Sequence, residues 1–256
     1  MKKKSYLIIF FLIFVSIIFL NNKSYRYIGV NYIVEKTEIT NFQKLSDFYQ
    51  RHTNYKKLVK EITQDSKDKK EEIIDISTWV YENIKKISEG DTVIDNHPWT
   101  IVERKLGVSD QFSDILSVLL VHNDIDSFFT TKFKKIIHPI TFFKYDNEWC
   151  IIDPYYGVYL TNNKNSFSTI KESRRGNLDI HHLTLGKVTI KNLDIIFFDK
   201  NFQNIEELNN YFTNLLSMIP RSEIIENTNI YERGGRSYIQ KPIHRILVQL
   251  KKFLNM

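Results

Sequence analysis

The segment HPITFFKYDNEWCIIDPYYGVYL, residues 138–160, most constrains the fold, because it predicts two strands that meet at the turn YDNE. A two-residue turn after Tyr145 would place Tyr145 opposite Glu148. Since side chains alternate along a strand, His138 and Asp153 then project from the same face as diagonal neighbours. A four-residue loop gives the same pairing, whereas a three-residue loop breaks it. The sequence therefore predicts an antiparallel hairpin with a His–Asp pair on one face.

This His–Asp pair is the first candidate for chemistry. A carboxylate that accepts from one imidazole nitrogen fixes the tautomer of the ring and leaves the other nitrogen as a base. The alternative is that both residues only mark strand ends, since His138 precedes Pro139 and Asp153 precedes Pro154. Cys150 has the opposite parity to Asp153 on the same strand, so we expect it to be a buried core residue rather than a reactive thiol.

The segment KLGVSDQFSDILSVLL, residues 105–120, predicts a turn at Gly107 and then a helix whose apolar residues recur at spacings of three and four. Ser109 stands where the first helical turn should begin. Its hydroxyl could accept a hydrogen bond from an orphan backbone N–H as a helix N-cap. It could instead be a nucleophile held at the positive end of a helix. Both interpretations stay open at this point.

Taken together, these pieces resemble the transglutaminase-like superfamily over residues 71–160. GVSDQFSDIL corresponds to the Gly-x-Cys motif of that family, His138 to its His, and EWCIIDPYYG to its Trp-x-x-x-Asp-Pro ending. The resemblance implies an α+β, papain-like domain in which the helix that begins at Ser109 packs on an antiparallel sheet. It also implies a catalytic set in which Ser109 attacks a carbonyl, His138 acts as base and then acid, and Asp153 orients the His.

The family's nucleophilic Cys is replaced here by Ser109, which changes the expected chemistry. A thiol with a pKa near ~8.5 can be stored as a thiolate, whereas a serine hydroxyl must lose its proton to a base during attack. We therefore expect a degenerate, non-catalytic member that binds a cell-envelope peptide, glycan or protein partner. One alternative is a serine-dependent acyl transferase, amidase or protease-like enzyme that uses Ser109, His138 and Asp153. Another is a purely structural envelope scaffold, which a cleft filled by side chains would favour.

The N-terminal segment MKKKSYLIIFFLIFVSIIFLNNKS carries three lysines and then an uninterrupted apolar run from Tyr6 to Leu20. Its exit residues are not the small residues of a cleavage site, so the segment is typical of an uncleaved signal anchor. The run is shorter than the ~20 residues that span a bilayer comfortably. We expect a single-pass protein of a bacterial-type cell membrane, with the N-terminus in the cytoplasm and the rest of the chain exported.

Five regions are expected along the chain. Residues 1–23 form the signal anchor or transmembrane segment and residues 71–160 the transglutaminase-like core. Residues 24–70 form an N-terminal helical region, in which a short strand around YIGVNYIV precedes the helix. Residues 161–240 supply strands and a helix that complete the domain. Residues 241–256, KPIHRILVQLKKFLNM, form a basic amphipathic helix.

Several classes of function are excluded or disfavoured by composition. With only one Cys in 256 residues, the chain has no internal disulfide and no Cys-based zinc cluster. The net charge of +6 comes with no RNA- or DNA-binding motif, so we expect no nucleic-acid partner. His181 and His182 are adjacent on a predicted strand and face opposite ways, which makes them a poor metal pair. We therefore expect no metal and no cofactor.

Overall fold

The computed structural model describes residues 2–30, 33–87, 97–133, 136–176 and 178–219 of the chain. The helices are α1 (Lys2–Asn21), α2 (Asn41–Ile62), α3 (Lys69–Asn83), α4 (Pro98–Arg104), α5 (Ser109–His122), α6 (Ile170–Ser173), α7 (Leu193–Ile196) and α8 (Ile205–Ser217). The strands are β1 (Lys23–Val30), β2 (Ile33–Thr40), β3 (Lys85–Lys86), β4 (Leu106–Gly107), β5 (Ser127–Phe133), β6 (Ile136–Tyr145), β7 (Glu148–Asp153), β8 (Val158–Thr161), β9 (Asp179–His182) and β10 (Gly186–Lys187). The basic amphipathic helix predicted over residues 241–256 lies outside the described residues.

Residues 23–40, where one short strand is expected before the helix, form the antiparallel β1–β2 hairpin. KSYRYIGV and IVEKTEIT are rich in β-branched and aromatic residues, which favour strands. The helical pattern begins only at α2, where the Thr40 side chain accepts from the Gln43 backbone and the Gln43 side chain accepts from the Thr40 backbone. This reciprocal capping box satisfies two orphan N–H groups and sets the helix start.

The helix predicted in the N-terminal segment is present as α1, and its side chains from Tyr6 to Val15 and from Ile17 to Phe19 include large exposed hydrophobic groups. Within the described part of the chain, no helix is both long enough and apolar enough to cross a membrane.

Six strands form one antiparallel sheet in the order β10-β9-β8-β7-β6-β5. Between β6 and β7, Tyr145 pairs with Glu148 and Thr141 with Ile152, which is the register that the sequence predicts. The two turn residues between them, Asp146 and Asn147, both have positive φ, as a two-residue type I′ turn requires. The predicted α+β fold with an antiparallel sheet is thus confirmed.

Helices cover both faces of this sheet. On one face α5 packs with α2, α3 and α4, and its buried side chains meet Phe143, Cys150 and Ile152 of the sheet. On the other face, buried side chains of α8 meet Ile140 and Phe142 of the sheet. We call these the α5 face and the α8 face. At the edge of the α5 layer, the short strands β3 and β4 pair in parallel, so that Lys86 lies beside Gly107, two residues before α5 begins.

Candidate functional site

The structure brings His138 and Asp153 together, as the hairpin register predicts. The Nε2 atom of His138 lies 2.6 Å from Oδ2 of Asp153. Both side chains are buried, with 3% and 1% of their surface exposed. Because a carboxylate can only accept, Nε2 of the imidazole is the donor.

The second oxygen of Asp153 is held by the backbone. Its Oδ1 atom accepts from the N–H of Tyr155 at 3.0 Å and from the N–H of Tyr156 at 3.1 Å. These two bonds come from the turn that follows β7, where the chain continues as Pro154-Tyr155-Tyr156. The carboxylate is therefore fixed on both sides, and it fixes the imidazole in turn.

A residue that sequence reasoning missed occupies the other imidazole nitrogen. The phenol of Tyr211, on α8, lies 2.9 Å from Nδ1 of His138. Burial raises the pKa of Tyr211 to about 12, and the carboxylates of Asp153 and Asp199 add to the rise. The phenol therefore keeps its proton, and it donates a hydrogen bond to Nδ1 when the imidazole is neutral. The result is a continuous hydrogen-bonded chain from Tyr211 through His138 to Asp153.

Aromatic rings enclose the imidazole of His138. The ring of Tyr156 stacks on it at 5.8 Å between ring centres, with 22° between the planes. The rings of Tyr211 and Phe212 approach it edge-on at 5.5 and 6.2 Å. Burial raises the pKa of the Tyr156 phenol, and the bond that this phenol donates to Asp199 raises it further. The hydrogen-bonded chain from Tyr211 through His138 to Asp153 is thus surrounded by aromatic rings.

Ser109 is the first residue of α5 and is half-buried, but it is not the helix cap. The N-cap residue is Val108, whose backbone N–H donates to the Gln111 side chain at 3.1 Å. The same Gln111 oxygen accepts from Arg104 at 3.0 Å. Of the two interpretations of Ser109, the helix N-cap is therefore wrong by one residue, because the cap is Val108, whose N–H is held by Gln111.

The structure does not join Ser109 to the His–Asp pair by a hydrogen bond within the described residues. Both ring nitrogens of His138 are bonded, one to Asp153 and one to Tyr211. Between α5 and the pair, ring contacts run from Phe112 to Tyr155 at 5.4 Å and from Tyr155 to Tyr156 at 5.3 Å. These ring contacts connect the first turns of α5 to the Tyr156 ring that stacks on the imidazole.

The lone Cys150 is buried on the α5 face, with 1% of its surface exposed. Burial raises the pKa of its thiol to about 12, helped by nearby carboxylates. A thiol in this state is no nucleophile at neutral pH.

Other candidate sites are also placed by the structure. In the described part of the chain, no group of three or more His, Cys, Asp or Glu side chains could hold a metal ion. His182 is buried and His181 is not, as alternation along β9 requires, and Nδ1 of His182 accepts from the backbone of Thr184 and Leu185.

A separate cavity of about 340 Å³ is lined mostly by polar residues of the 162–178 segment, among them Asn162 and Arg175, and none of its lining residues belongs to the His138 site.

Comparisons with known proteins give only partial likenesses. No family model matches the chain, and no curated protein matches its sequence. A solved structure of a proposed cysteine protease from Cytophaga hutchinsonii is similar over 41% of this chain and 37% of its own, at 17% identity and a TM-score of 0.35.

Two further solved structures are similar to parts of the chain. One is described as a TGase, at 12% identity and a TM-score of 0.33, over 57% of this chain and 46% of its own. The other is a proposed protease from Parabacteroides distasonis, at 16% identity and a TM-score of 0.32, over 56% of this chain and 30% of its own. The chain therefore spans less than half the length of each of the three proteins.

Proposed function

We propose that this chain is a transglutaminase-like domain that binds a cell-envelope peptide, glycan or protein partner and does not catalyse acyl transfer at Ser109. The observation that carries the proposal is that both nitrogens of the His138 imidazole are engaged, one by Asp153 and one by the Tyr211 phenol. A serine becomes a nucleophile only when a base takes its proton. In this arrangement no imidazole nitrogen is left to do so.

The family assignment in this proposal is supported by the order of the elements. The helix that begins at Ser109 is followed by β5, then by β6, which contains His138, and then by β7, which ends at Asp153. This is the order on which the sequence resemblance depends. The β6–β7 register adds support, because it places the His and the Asp within hydrogen-bond distance.

The experiment compares the parent chain with Ser109→Cys, Ser109→Ala and His138→Ala. Each purified protein is treated separately with a serine-directed and a thiol-directed acylating probe and examined by intact mass. We expect no labelling of the parent by the serine-directed probe. For the thiol-directed probe, Ser109→Ala is the matched control for Ser109→Cys, because both variants keep the buried Cys150. Labelling of the parent that is lost in both Ser109→Ala and His138→Ala would refute the proposal.

A second candidate is a serine-dependent acyl transferase, amidase or protease-like enzyme. It is favoured by the intact His138–Asp153 pair and by the Ser109 hydroxyl, which is not used as the N-cap of α5. In this scheme the Tyr211 phenol leaves Nδ1, Ser109 attacks a carbonyl carbon and its proton passes to His138. The imidazolium then protonates the leaving amine or alcohol, and water releases the acyl group. The same labelling experiment distinguishes this candidate from the first.

Membrane attachment through α1 belongs to the same proposal. Its support is the exposed apolar surface of α1, in which Tyr6, Phe10 and Phe19 have 70%, 71% and 62% of their surface exposed. Exposed apolar patches of this extent mark contacts with membranes or other proteins. The test is flotation of the full chain with lipid vesicles, compared with an Ile13→Lys variant. We expect the parent to float with the vesicles and the variant to remain in the bottom fraction. Equal flotation would contradict attachment through α1.

A further inference from the structure

The first turns of α2 carry large apolar side chains that are exposed. Phe42, Leu45 and Tyr49 have 60%, 56% and 71% of their surface exposed. Because they are three and four residues apart, they lie on one side of the helix. The side of α2 that packs in the α5 core, with Tyr55 and Val59, lies roughly a quarter of a turn away around the helix axis. We call Phe42, Leu45 and Tyr49 the α2 stripe.

The α2 stripe begins where α1 ends. The side-chain amide of Asn41, the first residue of α2, donates to the carbonyl oxygen of Phe19 at 2.9 Å. The backbone N–H of Asn41 donates to the carbonyl oxygen of Asn22 at 3.0 Å. Phe19 itself has 62% of its surface exposed. The stripe therefore lies next to the exposed apolar end of α1.

The same side of α2 changes from apolar to polar with distance from α1. The next residues at the same spacing are Thr53, Lys56 and Lys60, and all three are exposed. At a rise of ~1.5 Å per residue, Phe42 and Tyr49 are about 10 Å apart along the helix. The headgroup layer on each side of a bilayer is of similar thickness, roughly 5–8 Å. The apolar part of this side therefore has the length that a headgroup layer could cover.

A lipid surface accounts for this pattern better than a protein partner does. Side chains at the membrane–water interface are apolar or aromatic, with Trp and Tyr enriched, and those that face water are polar or basic. In α2, Tyr49 stands at the boundary and the lysines follow it. At its other end α2 is held by Tyr55 and Val59, so the helix runs from the end of α1 to the α5 core. A protein partner gives no reason for the apolar residues to be confined to the end beside α1.

We infer that the α2 stripe inserts into the lipid headgroup layer beside α1, so that the first turns of α2 form a second membrane contact of the chain. The ligand is the phospholipid surface itself. This inference rests on the proposed attachment through α1, and it goes beyond that attachment because it assigns a contact to a different helix. Since α2 also packs in the α5 core, the contact holds the domain in one orientation on the membrane.

The experiment measures the membrane depth of two positions on this side of α2, in the full chain bound to vesicles. Leu45→Cys and its matched control Lys60→Cys are labelled with a thiol-reactive fluorophore; both residues are exposed, and they are about 22 Å apart along the helix. Cys150 does not compete for the label, because it is buried and its thiol pKa is raised to about 12. The parent, treated in the same way, gives the background. The vesicles contain phosphatidylcholine and phosphatidylglycerol, with or without a phosphatidylcholine that carries a nitroxide near its headgroup.

We expect the nitroxide lipid to quench the label on Leu45→Cys and to leave the label on Lys60→Cys bright. Equal quenching of the two labels, or no quenching of the first, would overturn the inference. Disulfide formation between two Leu45→Cys chains without quenching would also overturn it, since it assigns the stripe to a second copy of the chain. A second measurement guards against a fluorophore that enters the lipid by itself. In vesicles of brominated lipid, we expect Leu45→Trp to lose tryptophan emission relative to the parent and Lys60→Trp to lose none.

The two proposals fail in distinguishable ways. If the full chain does not float with vesicles, attachment through α1 is refuted and the inference about α2 is overturned with it. If the chain floats and the label on Leu45→Cys is not quenched, attachment through α1 stands and only the inference about α2 is overturned. The acylation result at Ser109 depends on neither measurement.

Discussion

The two faces of the central hairpin differ sharply in what they bury. On the α5 face, Phe143, Cys150 and Ile152 pack against apolar side chains of α5, and the polar side chain that the two strands bury there, Thr141, donates to the backbone carbonyl of Ser113. On the α8 face, the same two strands place His138 and Asp153 next to Ile140 and other core residues, and α8 adds a phenol to the pair. The same two strands therefore bury mainly apolar side chains on the α5 face and a hydrogen-bonded chain of polar groups on the α8 face.

This difference decides which physical term sets the cost of a substitution on each face. A side chain truncated on the α5 face leaves a cavity, and the cost follows its volume. A partner removed on the α8 face leaves a buried polar or charged group unsatisfied, which costs its desolvation in full. The cost of a substitution is thus set by cavity volume on the α5 face and by desolvation of polar groups on the α8 face. Substitutions on each face measure the two terms separately.

The largest effect is expected for Asp153→Ala. This change removes the partner of His138 and the acceptor of two backbone N–H groups, in a place where 1% of the side chain is exposed. Breaking a buried pair of this kind costs about 3–5 kcal/mol of unfolding free energy. Urea unfolding measures it, with Asp179→Ala as the control, because exposed Asp179 pairs with Lys187 and its loss costs below about 1 kcal/mol. Similar values for the two variants would mean that burial of the His138–Asp153 pair adds nothing to the cost of breaking it.

Leu116→Ala tests the α5 face, where the cost comes from a cavity. Leu116 is fully buried in the α5 core, so we expect a loss of about 3 kcal/mol of unfolding free energy. The matched control is Leu185→Ala, at a leucine with 50% of its surface exposed, for which we expect less than about 0.5 kcal/mol. A loss below 1 kcal/mol at Leu116 would mean, by the same rule, that the α5 face closes over the missing atoms.

Tyr211→Phe removes one hydroxyl from the α8 face and should cost about 1 kcal/mol, the net value of one hydrogen bond. It also leaves Nδ1 of His138 without its donor. We expect the ¹⁵N chemical shifts of the His138 ring to change in this variant. Tyr159→Phe is the control, since Tyr159 is a partly buried tyrosine packed on the α5 core. Unchanged His138 shifts in Tyr211→Phe would show that the phenol does not hold the imidazole in solution.

Local features of this site could be predicted from the sequence, and remote ones could not. The β6–β7 register depends on a short turn, so the positions of His138 and Asp153 follow from residues 138–153 alone. Tyr211 is 73 residues from His138 in the chain, and its contact depends on how α8 docks on the sheet. Its position in NIEELNNYFTNLLS indicates only that it lies near the apolar stripe of a helix.

The start of α5 shows that a local feature can also be missed. The sequence predicts a helix near Ser109, and the helix is there. Propensity favours a serine over a valine as N-cap. The Gln111 side chain overrides that preference, because its oxygen binds the N–H of Val108 and also accepts from Arg104. The β1–β2 hairpin extends over residues 23–40, where the sequence predicts only one short strand around YIGVNYIV before a helix.

The smallest effect on stability at neutral pH comes from ionisation of Cys150, and this loss of stability grows only at alkaline pH. Burial, with help from Glu172, Glu148 and Asp146, raises the pKa of this thiol from 9.0 to about 12. Above pH ~9 the unfolded chain loses the thiol proton while the folded chain keeps it, so the unfolded state binds fewer protons and stability falls as pH rises. The fall has a limit of about 1.4 kcal/mol per pH unit and ends near the folded pKa.

Because Lys and Tyr side chains titrate in the same range, the quantity to measure is the difference between the parent and Cys150→Ala. We expect the unfolding free energy of the parent to drop more steeply with pH between 9 and 11 than that of the variant, by up to that slope. Below pH 8 the two curves should run parallel, offset only by the packing lost with the sulfur atom. Parallel curves over the whole range would mean that water reaches the thiol in the folded protein, so that the α5 face is hydrated around Cys150.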